Sequence, residues 1–114
     1  MSTSERTLPV HAPMNQFATA DGQLLVGGIT LQRLAARVGQ TPFYAYDRKL
    51  ISSRVAELRT ALPKNVKLHY AMKANPMPAL VSAMASLVDG IDVASGGELK
   101  VALDAGANPV EISF

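Results

Sequence analysis

Apolar positions along the chain change period several times, and each change marks an element. Residues 1–20 (MSTSERTLPVHAPMNQFATA) carry no period and two prolines, and are expected to be a mostly disordered tail. "ADGQLLVGG" reads as a turn and a short strand. In "TLQRLAARVG", Leu31, Leu34, Ala35 and Val38 recur at helical spacing, with Thr30 placed to cap the start and Gly39 the end. "TPFYAYD" reads as a strand with aromatics at 43, 44 and 46. Asp47 then caps a helix from Arg48 to about Leu62, with Ile51, Val55, Leu58 and Leu62 on one face and Pro63 as the stop.

"VKLHYAM" is the next strand, over 66–72. Asn75 suits a cap and Pro76 a first helical position, and Leu80, Val81, Met84, Leu87 and Val88 form a buried stripe. Asp89-Gly90 reads as a turn, "IDVAS" as a short strand, and Ser95 with Glu98 as a capping box. The helix that follows carries Leu99, Ala102 and Leu103 and ends at Gly106. Asn108-Pro109 turns the chain into a last strand, "VEISF". From Val66 the order is β-α-β-α-β, which predicts parallel strands with helices packed outside. A Rossmann-type sheet and a (β/α)8 barrel both fit. No Gly-x-Gly-x-x-Gly follows a strand, which counts against the dinucleotide-binding version. A barrel needs about 250 residues, so a barrel reading makes this chain the truncated start of one, after about three strands.

Composition narrows the function classes. The 114 residues suffice for one small domain with a core. Lysine plus arginine number 11 and aspartate plus glutamate 9, a net +2 with no concentrated run, so nucleic acid is not an expected partner. There is no cysteine, and His11 and His69 stand far apart in sequence, so no metal site is expected. No apolar run approaches the ~20 residues of a membrane span. The expectation is a soluble, cytoplasmic protein without membrane partners.

The chemistry centres on "HYAMKANP". Strand alternation puts Lys67, His69, Ala71 and Lys73 on one face and Val66, Leu68, Tyr70 and Met72 on the other. Lys73 falls at the C-terminal end of its strand, the catalytic end in barrel enzymes. A lysine amine there becomes a nucleophile toward carbonyls if its charge is disfavoured. The plainer reading is a lysine reaching from a strand end to water. Asp92 could equally be a solvated strand residue. Ser95 capping explains Glu98 without any chemistry, and His69 reads as a satisfied structural histidine.

The run "FYAYD…HYAMKANP…GIDVASGGELKVALDAGA…ISF" resembles the alanine-racemase-like, fold-type III class of pyridoxal-phosphate enzymes, from about Ala20 to Phe114. Within it, "YAMKAN" at Tyr70–Asn75 and "DVASGGE" at Asp92–Glu98 are similar, in order and spacing, to motifs of the diaminopimelate/ornithine decarboxylase family. "ANPMPALV" departs from many diaminopimelate decarboxylases and resembles homologues associated with exosortase systems.

This resemblance implies an N-terminal fragment of a pyridoxal 5'-phosphate-dependent amino-acid decarboxylase. Residues 21–47 would contribute a helix and strand to a second, β-rich domain, and 48–114 would begin an α/β (β/α)8 barrel. Lys73 would carry the cofactor as a Schiff base and shuttle protons. Ala71, Asp92 and Glu98 would line the cofactor site, Ala71 because a larger side chain would crowd the ring. The parent would be a homodimer acting on an amino acid, and the fragment alone would be inactive. A non-catalytic pyridoxal-phosphate carrier, a cofactor-free regulatory paralogue and an alanine-racemase-like enzyme remain alternatives.

Overall fold

The computed structural model describes residues 8–13 and 15–114. The expected tail therefore lies partly outside the described residues. The chain divides into two compact units, Met1–Tyr46 and Asp47–Phe114.

In the first unit, strands β1 (Thr19–Ala20), β2 (Gln23–Val26) and β3 (Ile29–Thr30) form an antiparallel sheet in sequence order. The expected tail thus stops short of Ala20, because Thr19 and Ala20 pair with Leu24 and Gln23. Both hairpins turn on two residues with positive φ: Asp21 (50°) with Gly22 (72°), and Gly27 (59°) with Gly28 (76°). That is the backbone twist a two-residue hairpin favours. Helix α1 (Leu31–Val38) follows at once. Thr30 Oγ1 accepts from the Arg33 N–H, and Gly39, at φ 78°, closes the far end by donating to the Ala35 carbonyl. The expected strand at "TPFYAYD" is not formed. A strand exists only as part of a hydrogen-bonded ladder, and no strand includes Phe43–Tyr46; Tyr44 is 90% exposed.

In the second unit, helix α2 (Arg48–Ala61) is capped by Asp47, whose Oδ1 accepts from the Lys49 N–H at 2.8 Å. Strands β4 (His69–Ala71), β5 (Gly90–Asp92) and β6 (Ile112–Ser113) form a parallel sheet in the order β4-β5-β6. Helix α3 (Pro78–Ala85) connects β4 to β5, and α4 (Gly96–Asp104) connects β5 to β6. Met72, Val81, Ile91, Val93 and Ala102 form the core, with Tyr70 and Ile112 packed against it. Each fully buried large side chain among them contributes about 1.5–3 kcal/mol. No helix among the described residues is long and apolar enough to cross a membrane.

Several boundaries differ from the sequence reading. Of "VEISF" only Ile112–Ser113 pair, since Pro109–Glu111 form a 3-10 turn, and of "IDVAS" only Ile91 and Asp92 pair. The strand expected over 66–72 is hydrogen-bonded only at His69–Ala71, and Met72–Ala74 form a 3-10 turn. Helix α3 starts at Pro78 with Met77 as its cap, rather than at Pro76 with Asn75. The cause is the double proline: the residue before a proline is pushed out of helical conformation. Asn75 (ψ 106°) and Met77 (ψ 122°) both precede one. Asn75 instead accepts the Met77 N–H on its Oδ1 at 3.0 Å. Gly90 is not in a turn but is the buried first residue of β5. Of the stripe expected on α2, Val55 is buried while Leu58 is 38% exposed.

Candidate functional site

The C-terminal end of the parallel sheet gathers the residues singled out above. Lys73 sits on the 3-10 turn that leaves β4. Two contacts fix that turn. Met72, its first residue, is fully buried, and the Tyr70 hydroxyl donates to the Asn75 carbonyl at 2.7 Å. The lysine itself is exposed and makes no ion pair with a described residue. An anchored backbone thus presents an exposed amine. Because β4 ends at Ala71, strand alternation does not carry Lys67 or Lys73 onto the sheet face. Lys67 instead pairs with Glu111 at 2.8 Å, a bond that raises its pKa above the usual lysine value.

Ala71 and Asp92 are register partners on β4 and β5, and Asp92 is in turn paired with Ser113 on β6. A small side chain, a carboxylate and a hydroxyl thus stand in a row at the strand ends. Asp92 Oδ1 lies 2.8 Å from His69 Nδ1. His69, read from sequence as structural, is satisfied by one of the candidate site residues. The signal available in the sequence was its position two residues before Ala71, on the same face.

Glu98 is placed differently from the others. Its N–H donates to Ser95 Oγ at 3.1 Å, and its Oε2 accepts from the Ala94 N–H at 2.7 Å. It completes the capping box one residue further out than the usual pattern, where the carboxylate returns to the cap residue itself. Both oxygens of the strand–helix junction are used in holding the start of α4.

At the opposite end of the sheet, Asp89 Oδ2 accepts from Arg59 Nη1 and from the Leu68 N–H, each at 2.7 Å. The Arg59 guanidinium first, and the Leu68 N–H second, hold the Asp89 carboxyl below its usual range. This cluster ties α2 to the sheet and lies away from Lys73.

The donor set at the C-terminal end suits a carbonyl-bearing cofactor. It offers an amine without an ion-pair partner among the described residues, the Asp92 carboxylate and the small side chain of Ala71. The family model of the "Pyridoxal-dependent decarboxylase, pyridoxal binding domain" matches residues 48–114. A diaminopimelate decarboxylase of Aquifex aeolicus is 40% identical over 94 residues, covering 82% of this chain and 22% of that protein. One from Pseudomonas aeruginosa is 35% identical, covering 89% and 24%. A chloroplastic ornithine decarboxylase of Nicotiana glauca is 34% identical, covering 90% and 22%. The crystal structure of AQ1208 from Aquifex aeolicus superposes with a TM-score of 0.74 at 40% identity, covering 84% of this chain and 24% of that one. The chain spans less than a quarter of the length of these relatives. Its parallel sheet is the start of their α/β fold, and the cofactor of the matched domain is pyridoxal phosphate. With its family model covering α2 through β6, the chain belongs to the pyridoxal-dependent decarboxylases, within their pyridoxal-binding domain.

Proposed function

We propose that the chain is the lysine-bearing part of an amino-acid decarboxylase acting on diaminopimelate or a closely similar substrate. The observation that carries this is Lys73: an exposed amine without an ion-pair partner among the described residues, on a turn anchored by Met72 and Tyr70 at the C-terminal end of a parallel sheet. The diaminopimelate decarboxylases among the relatives supply the substrate class. Pyridoxal phosphate, when bound, supplies the electron sink that accepts the charge left by departing carbon dioxide.

The residues of this chain then have separate tasks. Lys73 Nζ would hold the cofactor at its aldehyde and, when not so engaged, would hold or deliver a proton. The Asp92 carboxylate, at the end of β5 beside Ala71, would balance the positive charge of an amine brought to that strand end. Ala71, beside Asp92 in the register, would line the cofactor site with a small side chain. Glu98 acts through the backbone, by fixing the junction between β5 and α4.

The test uses the full-length protein loaded with pyridoxal phosphate. Borohydride reduction followed by peptide mapping is expected to place the adduct on Lys73, and Lys73→Ala is expected to abolish both the adduct and carbon dioxide release. Lys73→Arg is expected to fail equally, since a guanidinium stays protonated and does not attack an aldehyde. An adduct on Lys49, Lys64 or Lys100 overturns the assignment.

A further inference from the structure

His69 is half-buried on β4 and its imidazole lies across Gly90 of β5. A Cβ at Gly90 would stand 2.5 Å from His69 Cε1 and 2.7 Å from Nε2. The glycine therefore makes the space in which the ring lies. With Nε2 over Gly90, Nδ1 faces along β5 toward Asp92, two residues on, and meets Oδ1 at 2.8 Å. An ionised carboxylate is only an acceptor, so Nδ1 carries the proton and donates. The other Asp92 oxygen has no hydrogen-bond partner among the described residues and belongs to a side chain that is half exposed. One oxygen is held and the other is free, at the strand end from which the Lys73 turn departs.

We propose that His69 is a positioning residue that acts on the Lys73 amine through Asp92. The histidine, seated by Gly90, fixes the rotamer of the carboxylate so that its free oxygen stays available to the lysine end of the sheet. This deepens the reading of Lys73 as the cofactor lysine and rests on it. Without the Nδ1–H donor, Asp92 turns freely into solvent, as an exposed aspartate does.

The experiment follows uptake of pyridoxal phosphate by the cofactor-free, full-length protein, using the absorbance that appears when the aldehyde bonds to lysine. His69→Phe keeps a flat ring over Gly90 and removes the donor; His69→Asn keeps an N–H at the place of Nδ1. Displacing a positioned group by about 1 Å costs up to about 100-fold in rate, so His69→Phe is expected to slow uptake about 10- to 100-fold. The same variant is expected to lower kcat more than it raises KM. His69→Asn is expected to recover most of the rate. Combining His69→Phe with Asp92→Asn is expected to be no slower than Asp92→Asn alone, because residues acting as one unit are not additive. Should His69→Phe not fold, His69→Leu replaces it in the same cycle.

Normal uptake by His69→Phe, or effects of His69 and Asp92 that multiply, overturns the proposal. A merely structural histidine would lower the melting temperature of all variants alike without this coupling. If the wild-type protein takes up no cofactor on Lys73, the underlying reading falls and the proposal with it. If the wild type takes it up and His69→Phe matches it, only the positioning role falls.

Discussion

Asp89 and Asp92 lie three residues apart and are held by different partners, and the difference sets what acid does to this chain. Asp89 Oδ2 accepts from the Arg59 guanidinium and the Leu68 N–H, and the first of these, then the second, lowers its pKa. The folded chain therefore releases this proton more readily than the unfolded chain. The stabilisation is present above the ordinary carboxylate range near pH 4 and is lost as pH falls through the lowered folded value. Thermal melts between pH 7 and pH 3 are expected to show a falling Tm at the acid end. Asp89→Asn is expected to lower Tm at pH 7 and to flatten that acid slope; an unchanged slope would show that other carboxylates carry it. Of these contacts the sequence revealed only local ones. The caps at Thr30, Asp47 and Ser95 were legible because a cap joins residues two or three apart. The His69–Asp92 and Leu68–Asp89 bonds span 23 and 21 residues, and no local pattern encodes which strand lies beside which.

Among the elements, periodicity located the helices well because their apolar spacing and capping signals agree. The strands of the parallel sheet were legible in existence and order, but not in extent; the strand expected at "TPFYAYD" is absent, and β1 lies in the expected tail. "VKLHYAM" is uniformly strand-like, yet its ladder is limited to the three residues that face β5, and Met72 turns inward to fill the core. Asp89-Gly90 looks like a turn because aspartate and glycine favour turns. Here glycine serves close packing. A Cβ at Gly90 would overlap the Glu111 backbone carbonyl as well as the His69 ring, and the backbone cannot move without shifting β6. Gly90→Ala is accordingly expected to destabilise by about 1–3 kcal/mol or more, measured by urea unfolding. Gly97, in the first turn of α4, is the contrast: a Cβ there meets only Ser95 Oγ at 3.9 Å. Gly97→Ala is expected to be neutral or to stabilise by about 0.5–1 kcal/mol, the usual helix advantage of alanine. Equal effects at the two positions would contradict the packing account.

For the chain as a whole, the consequence lies in the sheet edges. Among the described residues β4 and β6 each have one strand neighbour, β5, so the outer side of each faces no further strand. Such edges recruit further strands unless charge, proline or a covering element protects them. Here, apart from Glu111, which is paired with Lys67, the residues around β6 do the opposite. Val110 is 86% exposed and Phe114 is 90% exposed, on either side of Ile112–Ser113. Apolar side chains beside an open edge favour association, because pairing buries both the backbone groups and the apolar surface. The 114-residue chain expressed by itself is therefore expected to associate, with sedimentation velocity showing a weight-average mass that rises with concentration. Phe114→Lys is expected to shift that distribution toward monomer, since a charge at an edge opposes pairing. Val110→Lys is expected to act in the same direction. A single monomeric species with a sharp, concentration-independent melt would mean that the edges are protected in solution, and would contradict this account of the sheet.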